Sequence, residues 1–283
     1  MVKKTAGIIV TFNRKELLVH CIKSLLNQTI DLDVIYIIDN CSTDGTYDYI
    51  KEILLNHTNI KYLRLSENIG GSGGFYEGIK RAYEDGYDYI WGMDDDAVAT
   101  PTAHEEICII RDIMFEERFC LWSNCNDDTD FDNLYKKVDS WMFVGFYLLK
   151  NVIEEVGLPR KDFFIYHDDS EYAHRILKKG IPIIKVKNSI INHTDGFSKQ
   201  YYSKKIFGKL ILYPKLANWR HYYFIRNYIL KYSYKEIKKY YILLLLYPWF
   251  FLKLIILNPR QTSNFLKAYF DGLIGKSGII MKP

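Results

Sequence analysis

The feature that most constrains the fold is an alternation, over roughly the first two hundred residues, of short β-rich apolar runs with amphipathic stretches. Apolar runs at 7–11, 34–38, 60–65 and 87–93 predict four strands. Between the first two, apolar residues recur in pairs four apart and place one stripe on a helix: Leu17, Leu18, Cys21, Ile22, Leu25 and Leu26. This alternation predicts an α/β fold with a mostly parallel central sheet flanked by helices.

Two further helices are predicted at 102–119 and 169–179, because Thr100-Pro101 precedes the first and Gly180 follows the second. The aromatic stretch at 141–149 predicts a strand that lines a pocket. After His193 the alternation stops, and Lys, Tyr and aliphatic residues follow at helical spacing. We therefore expect a catalytic domain over 1–198 and a basic, aromatic helical region over 199–283.

Charge divides the chain in the same place. Residues 199–283 carry 16 Lys and Arg against two acidic residues, whereas residues 1–198 carry 22 against 32. An acidic body argues against a nucleic-acid partner, and a basic, aromatic tail suits an anionic membrane surface. Five cysteines without metal-like spacing and a start without a signal peptide predict a cytoplasmic protein.

The apolar stretch at 240–257 is the candidate membrane segment. Its 18 residues are near the lower limit for a span, and Pro248 and Lys253 interrupt it. Basic flanks on both sides favour a helix lying in the membrane interface. A helix buried within the protein or in a homo-oligomer is the main alternative, and a spanning helix is a further one.

Polar, turn-forming residues follow each of the four predicted strands. They are Thr11-Phe12-Asn13-Arg14, the run from Asp39 to Thr46, the run from Glu67 to Gly74, and Asp94-Asp95-Asp96. Because parallel strands end at one edge of a sheet, these loops are expected to meet where α/β proteins bind ligands. Asn13 and Asp44-Gly45 also have simpler interpretations, as a helix cap and a turn. The glycine run lacks GxGxxG spacing, which argues against a Rossmann dinucleotide site.

The aspartate triplet is the strongest chemical signal in the sequence. It directly follows the apolar run 89–93, whereas a merely solvated acidic run lies in a polar loop. Oxygen ligands of high negative charge suit Mg²⁺ or Mn²⁺, with a nucleoside diphosphate as the third party. His193 is a lone histidine at a strand end and matters only if it reaches the same metal ion.

A second acidic cluster, Asp168-Asp169, follows the apolar run 163–166 and opens a predicted helix. One of the two aspartates is expected to cap that helix. An ionised carboxylate beside an acceptor hydroxyl is a competent general base, and this role is available to the other.

Together these residues resemble glycosyltransferase family 2, whose members are inverting enzymes with the GT-A nucleotide-sugar fold. The matching segments, in the family's order, are GIIVTFNRKELLVHCIKSLLNQ, VIYIIDNCSTDGT, ENIGGSGGFYEGIKRA, MDDDA, WMFVGFYL, FFIYHDDSEYAHRI, INH and YYFIRN. Within the family the chain is most similar to bacterial galactofuranosyltransferases, which use UDP-galactofuranose, and next to rhamnosyltransferases, which use dTDP-rhamnose. It departs from the former at Trp141-Met142 and His167, where they often have paired tryptophans and a tryptophan.

The resemblance implies a role for each matching residue. Asp169 is the implied catalytic base and Asp168 its neighbour at the sugar. Asp96 and His193 are the implied ligands of Mn²⁺ or Mg²⁺, and Trp141 and His167 border the acceptor, with Trp141 as a sugar-stacking wall. The donor is expected to contact Thr11, Asn13, Arg14, Asp39, Asn68, Gly71, Asp94 and Asp95.

The expected reaction is a metal-dependent single displacement that moves a sugar from a nucleotide donor to a glycan or lipid-linked glycan, as in capsule or O-antigen synthesis. The enzyme is expected on the inner face of the cell membrane. A non-catalytic nucleotide- or glycan-binding module on the same scaffold is the alternative from another class. A nucleotidyltransferase is disfavoured because no glycine-rich, Lys- or Arg-bearing triphosphate loop lies near the start.

Overall fold

The computed structural model describes residues 3–114, 117–126, 131–193, 201–206, 209–233, 248–249 and 251–282. The chain forms two compact units, and a short internal segment belongs with the C-terminal one. The first unit contains residues 1–161 and 169–195, and the second contains residues 162–168 and 196–283. The sequence placed the boundary at 198–199 and did not indicate that 162–168 belongs to the second unit.

The first unit is built on one mixed sheet, which has nine strands within the described residues. Its parallel half lies in the order β3-β2-β1-β4, and this half is the one that the apolar runs predicted. The strands are β1 Thr5–Thr11, β2 Val34–Asp39, β3 Ile60–Arg64 and β4 Tyr89–Asp94. Strands β1 and β2 are buried along their whole length, as expected for parallel strands covered on both faces.

The other half of the sheet contains β5 Ala97–Ala99, β6 Cys120–Cys125, β7 Tyr135–Val138, β8 Phe146–Leu149 and β9 Ile183–His193. Strand β8 pairs antiparallel with β4 and β6, and β9 pairs parallel with β6 and antiparallel with β5 and β7. Strand β8 begins at Phe146 and is therefore shorter than the strand predicted over 141–149. The first residues of that predicted strand bend before Gly145, which adopts φ +76°, a conformation that side chains disfavour.

Six helices of the described residues follow or link these strands: α1 Lys15–Leu26, α2 Thr46–Asn56, α3 Gly70–Glu84, α4 Ala103–Ile113, α5 Lys150–Val156 and α6 Asp168–Lys178. Helix α4 ends before residue 119, contrary to the sequence prediction. Met114 has extended backbone angles, and Phe119 and Cys120 are buried at the entrance to β6. Because Met114 and Phe119 are apolar, the sequence pattern continues past the actual end of the helix.

Helix α3 begins at Gly70, so the glycine run lies inside the helix instead of preceding it. A Cβ atom on Gly74 would lie 2.5 Å from Val10 Cγ1, and one on Gly78 would lie 2.6 Å from Ile8 Cγ2. Real Cβ atoms do not approach other atoms so closely. The glycines therefore let α3 lie directly against β1.

The second unit contains the antiparallel hairpin β10 Tyr201–Ile206 and β11 Lys209–Pro214, then α7 Asn218–Ser233, α8 at 251–257 and α9 Thr262–Leu273. The hairpin differs from the helical region expected there. Pro214, the last residue of β11, disfavours a helix interior and interrupts the helical pattern there. A separate apolar cluster, which includes Tyr222, Tyr223, Ile229, Leu254 and Phe265, forms the core of this unit.

Most of the apolar stretch 240–257 lies outside the described residues, which include only 248–249 and 251–257 of it. Within the described part of the chain, no helix combines the length and the hydropathy needed to cross a membrane.

Candidate functional site

The carboxyl ends of β1, β2 and β4 bring the predicted loops together. Thr11 lies opposite Asp39 in the β1–β2 register, and Val10 lies opposite Asp94 in the β1–β4 register. Arg64 at the end of β3 lies opposite Asp39 in the β2–β3 register, so all four polar strand ends meet at one edge of the sheet.

An acidic group with one histidine forms at this edge. Asp94, Asp96 and His193 each offer a ligand atom, and these atoms all lie within 4.8 Å of one another. Pairing of β5 with β9 places Ala97 opposite His193, which brings the histidine beside the triplet. His193 Nε2 lies 2.8 Å from Asp96 Oδ1. Two carboxylates and an imidazole are a donor set that fits Mn²⁺ and accommodates Mg²⁺.

The expectation places both Asp94 and Asp95 at the donor, and the structure gives these two residues different surroundings. Asp94 lies with the two implied metal ligands. Asp95 is buried and accepts hydrogen bonds from Thr11 Oγ1 at 2.7 Å and Arg14 Nη1 at 3.3 Å. Burial raises the pKa of Asp95 to about 6, against the lowering effect of Thr11 and Arg14. Thr11 and Arg14, both expected at the nucleoside, thus support the acidic cluster.

Asp96 is surrounded by groups that stabilise its charge. Burial acts to raise its pKa, but His193 and Arg14 outweigh this effect and lower the pKa overall. Arg14 Nη1 donates to Asp96 Oδ2 at 2.8 Å, on the other side of the carboxylate from His193. An ionised carboxylate held between a guanidinium and an imidazole is suited to share a cation with Asp94.

Asp39 lies at the end of β2 and is almost completely buried. Its Oδ1 accepts the backbone N–H of Ser42 at 2.8 Å, and its Oδ2 accepts the hydroxyl of Tyr62. Burial raises the pKa of Tyr62, and the Asp39 carboxylate raises it further, so the phenol stays protonated. Arg64 Nε lies 3.9 Å from Asp39. Tyr62 and Arg64 are not among the site residues predicted from the sequence, although their i, i+2 spacing on β3 places both side chains on one face of the sheet.

Asn13 ties the loops after β1 and β2 together instead of capping α1. Its backbone N–H donates to Ser42 Oγ at 2.9 Å, and its Oδ1 accepts the backbone N–H of Thr43 at 2.7 Å. Asn13 adopts φ +54°, a left-handed conformation that asparagine tolerates better than most residues. The turn interpretation of Asp44 holds in part, because its Oδ1 accepts hydrogen bonds from Thr46 at the start of α2.

Asn68 and Gly71, both expected at the donor, lie at the start of α3. Asn68 Oδ1 accepts the backbone N–H of Gly70 at 2.8 Å, which is an Asx-type hydrogen bond in the turn that leads into α3. A Cβ atom on Gly71 would meet no atom within 4 Å. The space beside Gly71 is therefore open, in contrast to the close packing of Gly74.

Trp141 and Asp169 are joined in the first unit. Trp141 Nε1 donates to the carbonyl of Asp169 at 3.1 Å, and the Asp169 carboxylate accepts the backbone N–H of Ser170. Trp141 is only 2% exposed and packs against Phe146 and Tyr172. The expected sugar-stacking wall is thus part of the core, because its indole bonds inward to the chain at Asp169.

His167 and Asp168 belong to the second unit. The His167 ring packs against Phe224 and Tyr228 of α7. Burial and the charge of Lys231 lower the pKa of His167 to about 4, so this imidazole is neutral at pH 7. Asp168 is buried and is the first residue of α6.

Comparisons with known proteins agree with the resemblance drawn from the motifs. Residues 8–110 match the family model described as glycosyl transferase family 2. Galactofuranosyltransferase GlfT1 of Mycolicibacterium smegmatis is 24% identical over 202 residues, which cover 62% of this chain and 66% of that protein. Galactofuranosyltransferase GlfT1 of Mycobacterium tuberculosis strain CDC 1551 is 26% identical over 208 residues, 64% of this chain and 67% of that protein. The aligned region thus spans about two thirds of the relatives' length.

Two solved structures share the fold. Mannosyltransferase PcManGT from Pyrobaculum calidifontis, in complex with GDP-Man and Mn²⁺, has a TM-score of 0.60 and 13% identity and covers 95% of this chain and 74% of its own. GalNAc-T7 with UDP, GalNAc and Mn²⁺ has a TM-score of 0.56 and 13% identity, over 67% of this chain and 43% of its own. These comparisons confirm the family resemblance and the GT-A type of α/β fold.

Proposed function

We propose that this chain, whose residues 8–110 match the glycosyl transferase family 2 model, is an inverting, metal-dependent glycosyltransferase. Its expected donor is UDP-galactofuranose, and its expected acceptor is a hydroxyl of a cell-surface glycan or lipid-linked oligosaccharide. Support for the donor comes from the galactofuranosyltransferase relatives. The observation that carries the proposal is the group formed by Asp94, Asp96 and His193. This group lies at the sheet edge where β1 ends at Thr11 and β2 ends at Asp39.

The donor would bind across this edge. Asp39 is an acceptor-only carboxylate at the buried end of β2, and it suits the imide N–H of uracil or thymine. Asp94, Asp96 and His193 would hold Mn²⁺ or Mg²⁺ near the diphosphate. A divalent ion held by these residues would neutralise charge that develops on the leaving diphosphate. Because thymine presents the same imide as uracil, a dTDP-rhamnose donor remains the alternative.

Asp169 is the proposed general base. It removes the proton of the acceptor hydroxyl, whose oxygen attacks the anomeric carbon from the face opposite the diphosphate. The bond to the diphosphate breaks as the new glycosidic bond forms, so the configuration inverts in one displacement. No residue of the chain becomes covalently attached to the sugar.

Thermal-shift measurements test the donor first. The protein is mixed with Mn²⁺ and one of five donors: UDP-galactofuranose, dTDP-rhamnose, UDP-glucose, UDP-galactose or UDP-N-acetylglucosamine. A donor at about 100 times its Kd stabilises the folded state by about 2.7 kcal/mol, which is a measurable rise in Tm. UDP-galactofuranose is expected to give the largest rise, and only with Mn²⁺. A larger rise with dTDP-rhamnose would make it the proposed donor in place of UDP-galactofuranose. No rise with any of the five donors would contradict the proposed function.

The second unit is the proposed membrane-associating part, which would place the enzyme on the inner face of the cell membrane near lipid-linked acceptors. Trp249 is 56% exposed, and Leu252, Ile255 and Ile256 in α8 are also exposed. Basic residues accompany these apolar side chains, with Lys253 inside α8 and Arg260 just beyond it. Exposed apolar residues beside Lys and Arg suit an anionic lipid surface.

A further inference from the structure

The segment that precedes Asp169 has an unusual backbone. Phe164, Tyr166 and His167 adopt φ values of +67°, +67° and +65°. Positive φ is uncommon for residues other than glycine, and it is a clear outlier for bulky side chains. Such conformations persist only where neighbouring groups hold them, and they cluster at functional sites. Three of them within four residues require a specific support.

Asn227 of α7 supplies much of that support. Its Nδ2 lies 2.8 Å from the carbonyl of Phe163, 2.7 Å from that of Ile165 and 3.0 Å from that of Tyr166. The amide has two N–H groups, so the three carbonyls share them. Asn227 is completely buried, and its side chain is directed at the backbone of this one segment.

Arg226 completes the support. Its guanidinium donates to the carbonyls of Asp162 at 3.3 Å and Phe163 at 3.2 Å. Its Nε donates to Asn227 Oδ1 at 2.9 Å, which fixes the orientation of the amide, and its Nη1 donates to the carbonyl of Gly278 at 2.7 Å. Burying a charged group is unfavourable unless it is hydrogen-bonded, and here carbonyl oxygens provide the bonds. Apolar residues would fill the same space, but they would not hold these carbonyls in place.

The segment leads directly into α6, whose first two residues are Asp168 and Asp169. Its backbone angles therefore set the direction in which the chain enters the helix. We propose that Arg226 and Asn227 are positioning residues, which hold the backbone of 162–166 so that the Asp169 carboxylate meets the acceptor hydroxyl. This role rests on the proposed function, in which Asp169 is the general base.

Asn227→Asp tests the role with little change in shape. The substitution keeps the acceptor for Arg226 Nε and replaces the amide donor with an oxygen that faces three carbonyls. Transfer kcat is expected to fall by about tenfold or more, since a well-placed general base contributes ~10²-fold or more. The donor KM is expected to stay within about twofold, because such a change removes an interaction of the transition state alone. Asn227→Gln keeps an amide and is expected to recover part of kcat.

A pH profile separates positioning from general loss of structure. In the wild type, kcat falls at low pH as the base is protonated. If Asn227→Asp moves the base out of reach, this acidic limb flattens. Gln261→Ala is the matched control, because Gln261 is a buried amide of the second unit whose Nε2 donates to the carbonyl of Leu216 at 2.8 Å and to Asn218 Oδ1 at 3.3 Å. The control is expected to lower stability without changing the shape of the profile.

Hydrogen exchange provides a readout that does not depend on activity. Amides of 163–169 are expected to exchange faster in Asn227→Asp, and not in Gln261→Ala. The positioning role alone would be overturned, with an active wild type, by either of two results. One is that Asn227→Asp leaves amide exchange at 163–169 unchanged, and the other is that it lowers kcat by the same factor at every pH. A wild type that transfers no sugar from any of the five donors would overturn the proposed function, and the positioning role with it.

Discussion

Three consecutive aspartates have different surroundings in this protein. The chain turns at Asp95 and Asp96 between β4 and β5, and Asp94 and Asp96 share a group with His193. Asp95 instead bonds to Thr11 and Arg14. Adjacent identical residues therefore differ in chemistry, because Asp94 and Asp96 meet His193 at the end of β9, whereas Asp95 meets Thr11 at the end of β1.

Substitution of each aspartate is expected to separate these roles. Asp94→Asn and Asp96→Asn remove proposed ligands and are expected to weaken Mn²⁺ binding more than Asp95→Asn does. Loss of a residue that supports the metal ligands without touching the metal costs about 10- to 100-fold in metal affinity, and this is the largest loss expected for Asp95→Asn. Titration calorimetry with Mn²⁺ measures the order. Equal losses for all three variants would contradict the grouping.

Asp169→Asn tests the proposed general base. Transfer is expected to fall by ~10²-fold or more, because general-base catalysis typically contributes that much. Donor binding, followed by thermal shift with Mn²⁺, is expected to stay unchanged. Retention of more than about a tenth of the wild-type rate would remove Asp169 as the base.

His221 is expected to make stability depend on pH. Burial lowers its pKa to about 4, whereas an unfolded histidine titrates near pH 6.5. The unfolded chain therefore binds more protons between these values, so stability is full above about pH 6.5 and falls as pH decreases toward 4. At pH 5 the loss from this residue is about 2 kcal/mol. Urea unfolding at pH 7 and pH 5 measures it.

His221→Gln is the control for this dependence, since it keeps a polar group near Tyr213, the hydrogen-bond partner of His221. Other buried histidines titrate in both proteins, so the difference between the two pH slopes isolates His221. Identical slopes would show that His221 is protonated at no cost in the folded state.

At the scale of elements, the contact of α3 with β1 depends on glycines that lack side chains where the two meet. Gly74→Ala would press a methyl group against Val10 and is expected to destabilise the protein by about 1–3 kcal/mol, the usual cost of overpacking. Gly71→Ala is the matched control, because its Cβ would enter open space. Chemical unfolding of both variants tests this. A Gly74→Ala protein as stable as the wild type would show that α3 can move away from the sheet.

Elements with strong periodicity could be predicted from the sequence, and those defined by partners could not. Strands β1 to β4 were predicted within about two residues, which is the usual disagreement at element ends. Strand β6, Cys120–Cys125, mixes polar Ser123 and Asn124 with apolar residues and shows no clean alternation. It forms because β8 and β9 pair with its two sides. Such tertiary pairing overrides local propensity.

The same distinction applies to the site. Motifs located the strand-end loops, since each loop follows its strand directly in the chain. The contact of His193 with Asp96 joins residues 97 positions apart and requires the β5–β9 pairing. The resemblance implied both residues as metal ligands, whereas their spacing alone did not. The bonds from Asn227 to 163–166 likewise join distant segments and were not foreseen.

At the scale of the whole molecule, the second unit bears the proposed membrane surface. Leu252→Gln with Ile256→Gln is expected to weaken binding to anionic liposomes, because each apolar side chain buried in lipid contributes roughly 1.5–3 kcal/mol. Both residues are exposed, so the fold is expected to survive. Truncation would be a poorer test, since it removes α9, whose Phe265 belongs to the core of this unit.

Liposome sedimentation measures the effect, with neutral liposomes as the lipid control. Thr262→Ser is a protein control that changes little surface. Undiminished binding of the double variant to anionic liposomes would contradict the proposed surface.

The chain order of the two units has a consequence for biosynthesis. The amide of Asn227 that holds Phe163 is made 64 residues after it. At bacterial and eukaryotic synthesis rates this is a delay of about 3 to 13 s. His193 leaves the ribosome earlier, so the proposed metal-binding edge can assemble before the segment leading to Asp169 has its support. A nascent chain is then expected to bind a nucleotide sugar before it is able to transfer one.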